Sequence, residues 1–231
     1  MPNPTGWIPR NERVWDVLVR EAQAVGINPT IAAEVIFFES HWNAAVKNMS
    51  GADYSGLNQM GRPELAGLGL TPEQWRSMGA DQQLPFIFQF WKQRSKSVPI
   101  MWRSAAHLYA ANFLPARVHS NTDDVDYPLT RAGEGFYESN AVLDAQKHGF
   151  ISIRDLGMML QRKEENNPVD WGFISDQIAR AMGRAGVSPS PSGGTFRVAT
   201  DTADGGGSNT VVPLLVVGGL LWSLWPKSPR R

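Results

Sequence analysis

The run Ile36-Phe37-Phe38-Glu39-Ser40-His41-Trp42 sets a carboxylate at the end of an apolar helical stretch, among aromatic neighbours. A face of this kind normally continues into a core. A carboxyl group held there is desolvated, and desolvation raises its pKa, so it keeps a proton near neutral pH. Such a group suits general acid catalysis, in which one side chain hands a proton over and takes one back. A lone glutamate at a helix end is more often simply solvated, so the reading rests on what accompanies Glu39.

Two later stretches accompany it: Ser55-Gly56-Leu57-Asn58-Gln59-Met60 and Tyr109-Ala110-Ala111-Asn112. A helix ending in Glu-Ser, then a Gly-Leu-x-Gln turn, then a helix end bearing Tyr and Asn resembles the catalytic core of the soluble-lytic-transglycosylase group. That group belongs to the lysozyme-like superfamily. The resemblance begins in GINPTIAAEVIFFESHWN and covers roughly residues 10 to 120. It implies that Glu39 is the single general acid/base and that Ser40 supports it. Gly56, Leu57 and Gln59 match the turn lining the sugar cleft. There Gln59 would offer an amide to a sugar N-acetyl or hydroxyl group, and Gly56 would allow close approach of the backbone. Tyr109 and Asn112 fall where the family carries a pair that closes the site over the Glu.

The chain departs from the family pattern at named places. Tyr and Asn are adjacent in the family and stand three apart here, so Asn112 is the better match. Asn58 takes a place often held by Met. Trp42 offers either a stacking face for a sugar or plain core packing.

The resemblance implies a reaction. Glu39 would protonate the oxygen bridging N-acetylmuramic acid and N-acetylglucosamine, then act as base on the muramyl 6-hydroxyl to give a 1,6-anhydro product. A hydrolytic lysozyme would instead need a second carboxylate roughly 5 to 9 Å away. Asp53 is the nearest candidate in sequence, against the plainer reading of a turn-forming Asp in GADYSG. A non-catalytic phage structural protein that keeps the fold is another alternative, and a bacterial wall-remodelling enzyme anchored by its C-terminus is a third.

The elements that must position these residues read as helices. Asn11 is a candidate N-cap, and Val14, Trp15, Leu18, Ala22 and Val25 follow at helical spacing until Gly26. A second helix opens at Asn28-Pro29-Thr30, with Pro where its missing N–H costs nothing, and runs to about Glu39. Residues 43 to 62 read as irregular, with room for a small hairpin near 48 to 58. Thr71-Pro72-Glu73 starts a short helix, Gln82 to Lys96 forms another, and Pro99 to Asn112 a further one. The expected fold is mainly α: a lysozyme-like helical domain over residues 1–186, with at most a small hairpin.

The stretch from Asn140 to Leu156 can be laid on an EF-hand loop with Gly149 at the invariant glycine. Asp144 then takes position 1, Gln146 position 3, His148 position 5 and Asp155 position 12. With two acidic ligands it reads as a degenerate loop that keeps a turn without useful Ca²⁺ affinity. His41, His107, His119 and His148 show no zinc-site spacing, so neither a metal nor another cofactor is expected. Similar loop stretches, and a segment like Leu114-Pro115-Ala116, occur in phage-encoded wall-degrading proteins. The resemblance therefore implies a virion component acting on peptidoglycan strands in the host cell wall.

Composition limits the alternatives. With 22 basic against 22 acidic side chains, bulk electrostatics gives no sign of a nucleic-acid partner. Cysteine is absent, which removes thiolate nucleophiles and thiolate metal sites. MPNPTGWIPR is not a secretory signal, which suits delivery in a particle. After residue 186 a Ser-, Pro- and Gly-rich linker (187–210) leads to the apolar segment 211–225 and a basic tail, 226–231. That segment is short for a bilayer core, which takes about 20 helical residues. Its Trp pair and basic flank fit a membrane contact or a contact with virion proteins.

Overall fold

The computed structural model describes residues 8–48, 53–98, 102–166 and 169–187. Met1 to Trp7 and the apolar and basic C-terminal segments lie outside the described residues, as does the linker after residue 187. So do 49–52, within the expected hairpin, and 99–101, at the expected start of a helix.

Among the described residues the chain is mainly helical, in nine α-helices and one two-stranded sheet. The first helix, α1 (Glu12–Val25), starts where the Asn11 side chain accepts the Arg13 N–H at 3.0 Å. It ends at Gly26, whose φ of 77° is the left-handed conformation that glycine adopts without a Cβ clash. Asn28 caps α2 (Pro29–Ser40) in the same manner, with Pro29 in its first turn. Almost every side chain of α2 is buried, from Ile31 through Phe38. A helix apolar all round must be surrounded, and α1, a sixth helix α6 (Ala105–Phe113) and a ninth, α9 (Trp171–Arg184), pack against it. Each Ile or Phe removed from water there contributes about 1.5–3 kcal/mol, so α2 is the axis of the core.

Short helices follow the α2 terminus: α3 (Arg62–Gly67) and α4 (Pro72–Ser77). The latter starts in a capping box, Thr71 with Gln74. The longest, α5 (Ala80–Ser95), lies along α1 and buries Leu84, Ile87, Phe88 and Trp91. The helix expected from Pro99 begins later, at Ala105, because the Ser104 hydroxyl caps it by accepting the His107 N–H. His107 is a satisfied core histidine: Nε2 donates to the Thr122 carbonyl at 3.1 Å and Nδ1 accepts from Ser104 Oγ at 2.8 Å.

The hairpin expected near 48 to 58 is not formed as strands among the described residues. Only isolated antiparallel bridges join Lys47 to Ser55 and Ser55 to Met60. The sheet lies elsewhere, pairing β1 (Thr130–Arg131) with β2 (Phe150–Ile151). Strands of two residues are too short to leave a period-2 pattern. A single-turn helix, α7 (Gly135–Glu138), follows β1, and α8 (Ile153–Asn166) follows β2 and packs on α6. No described helix is long and apolar enough to cross a membrane.

Candidate active site

Glu39 lies in the last turn of α2 and lines a cleft with Tyr54, Asn58, Gln59 and Glu64. Glu39 is half-buried at that cleft, with Phe38 and the buried Tyr109 beside it. Burial pushes its pKa up to about 7, against the pull of the Lys163 ammonium, which lowers it. The group therefore holds a proton near neutrality, as its apolar setting in the sequence predicts. Tyr109 feels the same burial and the same carboxylate, which together push its phenol well above its ordinary range.

The turn from Ser55 to Met60 forms one wall. Gly56 has a φ of 79°, and a Cβ there would stand 2.3 Å from Trp75 Nε1 and 2.7 Å from Gln83 Oε1. Both side chains brace the turn: Trp75 Nε1 donates to the Ser55 carbonyl at 2.9 Å, and the Leu57 N–H donates to Gln83 Oε1 at 2.9 Å. Gln83 Nε2 in turn donates to the carbonyls of Ala44 and Trp75. Gln59 follows with a φ of 42°, its Nε2 donating to the Gly56 carbonyl at 2.9 Å. The Gln59 amide nitrogen thus holds its own turn, and its oxygen remains the acceptor for a ligand N–H or O–H.

The opposite wall comes from α5 and α6. Asn112 accepts from Trp91 Nε1 at 2.9 Å and donates to Asn58 Oδ1 at 3.1 Å, joining the walls. Arg94 fixes the same helix end by donating to the Ala111 carbonyl at 2.8 Å. Phe90 and Phe113 give the cleft apolar faces, and Phe113 stacks on Tyr109 with centroids 5.7 Å apart.

The residues singled out in the sequence therefore separate into two groups. Glu39, Gln59, Tyr109 and Asn112 line one cleft. Ser40, Gly56 and Leu57 stand behind it. The Ser40 hydroxyl donates back to the Ile36 carbonyl at 2.9 Å, which secures the last turn of α2. Leu57 is fully buried, and Gly56 makes room for Trp75 and Gln83. Trp42 is buried against Trp15, with centroids 5.0 Å apart, so it packs the core and offers no face to a sugar.

Asp53 does not line the cleft. Its carboxylate is bound by Arg62 at 2.7 Å and Arg76 at 3.2 Å. The cleft instead contains Glu64, which the sequence alone does not single out. Glu64 sits at the start of α3, accepts the Gly61 N–H at 3.1 Å, and has its pKa raised by burial. Its only sequence signal is an acid in a first helical turn, which is common without any function.

Backbone strain is concentrated here. His41 and Trp42, directly after Glu39-Ser40, have φ of 52° and 65°. Gln59, in the cleft wall, shares the left-handed region, a conformation that costs of order 1 kcal/mol or more in a non-glycine residue. Glu39 is thus held on a helix that stops abruptly under it.

The EF-hand-like loop keeps its turn, with Gly149 at a φ of 84°. His148 lies between the two aspartates, with Nδ1 3.0 Å from Asp144 and Nε2 3.5 Å from Asp155. Protein donors also occupy their oxygens. Asp144 accepts from Tyr137 and the Gly149 N–H at 2.8 Å, and Asp155 from Ser152 Oγ at 2.6 Å. These three residues are the grouping of potential metal ligands among the described residues. Their contacts account for them as a closed polar knot.

The geometry stands without a guide from relatives: no protein-family model, curated protein or solved structure matches this chain.

Proposed function

We propose that the protein is a peptidoglycan lytic transglycosylase of lysozyme-like architecture, with Glu39 as its general acid and base. One observation carries the reading: a proton-holding carboxyl group opens on a cleft between a strained turn and the Tyr109–Asn112 helix end. The cleft's mixture of aromatic faces and amides suits an N-acetylated sugar.

The chemistry balances with Glu39 alone. Its proton passes to the oxygen bridging muramic acid C1 and glucosamine C4, the C1–O bond breaks, and the glucosaminyl alcohol leaves. The Glu39 carboxylate then takes the proton of the muramyl 6-hydroxyl as that oxygen bonds to C1. A 1,6-anhydro ring closes, and Glu39 is protonated again. Asn112, Asn58 and Gln59 would hold the acetamido and hydroxyl groups.

A second reading, hydrolysis, is favoured by Glu64, a second carboxyl in the same cleft. It would serve as the water-activating base or nucleophile that Asp53 is too occupied to be. In either case the proposed setting is a phage particle that opens the host wall locally during genome entry. The C-terminal segment would contact a membrane or other virion proteins, and no nucleic acid or cofactor takes part.

The test is full-length protein, wild type and Glu39→Gln, on purified peptidoglycan, with products read by mass spectrometry. Anhydromuramyl products from wild type alone support the transglycosylase. Reducing-end muramyl products move the assignment to hydrolysis through Glu64. Glycan binding without any product from folded wild type would favour a structural protein that keeps a sugar-binding cleft.

A further inference from the structure

Helix α8 lies in the extension after the resembling core, and it carries a charged residue inward. Lys163 is buried, at 9% exposure. Its ammonium donates to the Phe38 carbonyl and stands 4.3 Å from the centroid of the Phe38 ring. That carbonyl directly precedes Glu39, in the last turn of α2, where the helix collects partial negative charge. A buried ammonium is costly unless opposite charge and acceptors meet it. The aromatic face, the helix end and Glu39 supply them together.

The charged and titratable groups around this point come from several elements. Glu39 and His41 belong to α2 and its cap, and Tyr109 to α6. Glu64 of α3 also lines the cleft, and it and Arg94 of α5 feel one another. Glu39 and Lys163 act on each other. Lys163 also disfavours a proton on His41, adding to the effect of burial and leaving that ring neutral.

Resting on the reading of Glu39 as the acid and base, we propose that Lys163 is its positioning residue. The Lys163 ammonium pins the end of α2 through the Phe38 carbonyl and offsets the carboxylate charge of Glu39 between the two proton transfers. A single carboxyl must be neutral before the bond breaks and ionised immediately afterwards. Burial alone would favour only the neutral form. A cation behind the helix end stabilises the ionised form without occupying the cleft. The extension is on this account part of the catalytic apparatus, although none of its described residues lines the cleft.

The test is reciprocal, and its titrations need no substrate. Full-length protein carrying ¹³C-glutamate and ¹⁵N-lysine is titrated by NMR as wild type, Glu39→Gln, Lys163→Met and Lys163→Arg. Glu39→Gln should lower the Lys163 midpoint by about one pH unit, because the opposite charge that favours the ammonium is gone. Lys163→Met should raise the Glu39 midpoint by a similar amount, and Lys163→Arg should leave it near wild type. On peptidoglycan, the alkaline limb of kcat/KM should move with the Glu39 midpoint. If Lys163→Met fails to fold, the Glu39→Gln arm decides alone. Midpoints indifferent to the other residue would overturn the proposal. Coupled midpoints with no glycan cleavage would keep the electrostatic pairing and remove the transglycosylase reading.

Discussion

Asn112 donates to Asn58 across 3.1 Å, and this bond ties the end of α6 to the turn after α2. Asn112 also accepts from Trp91, so one amide satisfies three elements. The sequence places the two asparagines far apart, in stretches with no common periodicity. Their meeting creates the cleft beside Glu39.

Replacing Asn112 by Ala removes both bonds and leaves the Trp91 N–H without its acceptor. The expected cost is about 1–3 kcal/mol in chemical denaturation. Asn58→Ala removes only the cross-wall bond and should cost less. Equal losses would mean that the Trp91 contact is not contributing.

Gly56→Ala meets two obstacles at once, a left-handed φ and the Trp75 and Gln83 side chains within 2.7 Å of the new Cβ. Strain and the displaced hydrogen bonds should together cost about 2–4 kcal/mol. A variant with wild-type stability would show that the turn relaxes freely.

The pH profile follows from the sign of the Glu39 shift. Burial raises its pKa from 4.5 to about 7, and the acid step needs the proton. The kcat/KM for glycan cleavage should therefore hold through mildly acidic pH and fall as pH rises through about 7. Glu39→Gln should lower the rate about 10²-fold or more at every pH. A profile that already falls near pH 4.5 would mean that Glu39 is solvated in solution.

Asp53 and Glu64 make opposite forecasts. Asp53→Asn weakens one exposed and one half-buried ion pair and should change stability by about 1 kcal/mol or less, with products unaltered. Glu64→Gln keeps an acceptor for the Gly61 N–H, so the fold should persist while cleavage changes if hydrolysis uses a second carboxylate. Product spectra before and after each substitution separate the two outcomes.

In the polar knot, Asp155 is fully buried and accepts from Ser152 and from the Gln146 N–H. Asp155→Ala should cost about 2–3 kcal/mol, since buried donors lose a charged acceptor. Added Ca²⁺ should leave the melting temperature unchanged, because protein donors already occupy the aspartates. A rise in Tm with Ca²⁺ would contradict this.

The local elements are legible in the chain because their causes are local. Asn11, Asn28 and Thr71 act as caps within three residues of their partners. The apolar run of α2 requires a surrounded helix wherever it lies. Glu39, Gln59, Tyr109 and Asn112 also stand out in the sequence as a possible constellation. The late start of α6 and the two-residue strands are not legible, because a serine cap and a two-residue pairing leave almost no periodic signal. Nor does the sequence decide which carboxylate shares the cleft. The sequence points to Asp53 as the nearer acid, and only the tertiary structure ties Asp53 to Arg62 and Arg76 and places Glu64 in the cleft. Lys163 is the clearest case: in the chain it is one lysine in a polar helix, 124 positions after Glu39. Only the packing of α8 on α6 brings its ammonium to the helix end that carries the acid. Caps and periodicity act through the chain, but pairing of buried charges acts through space, and that is settled when the core closes.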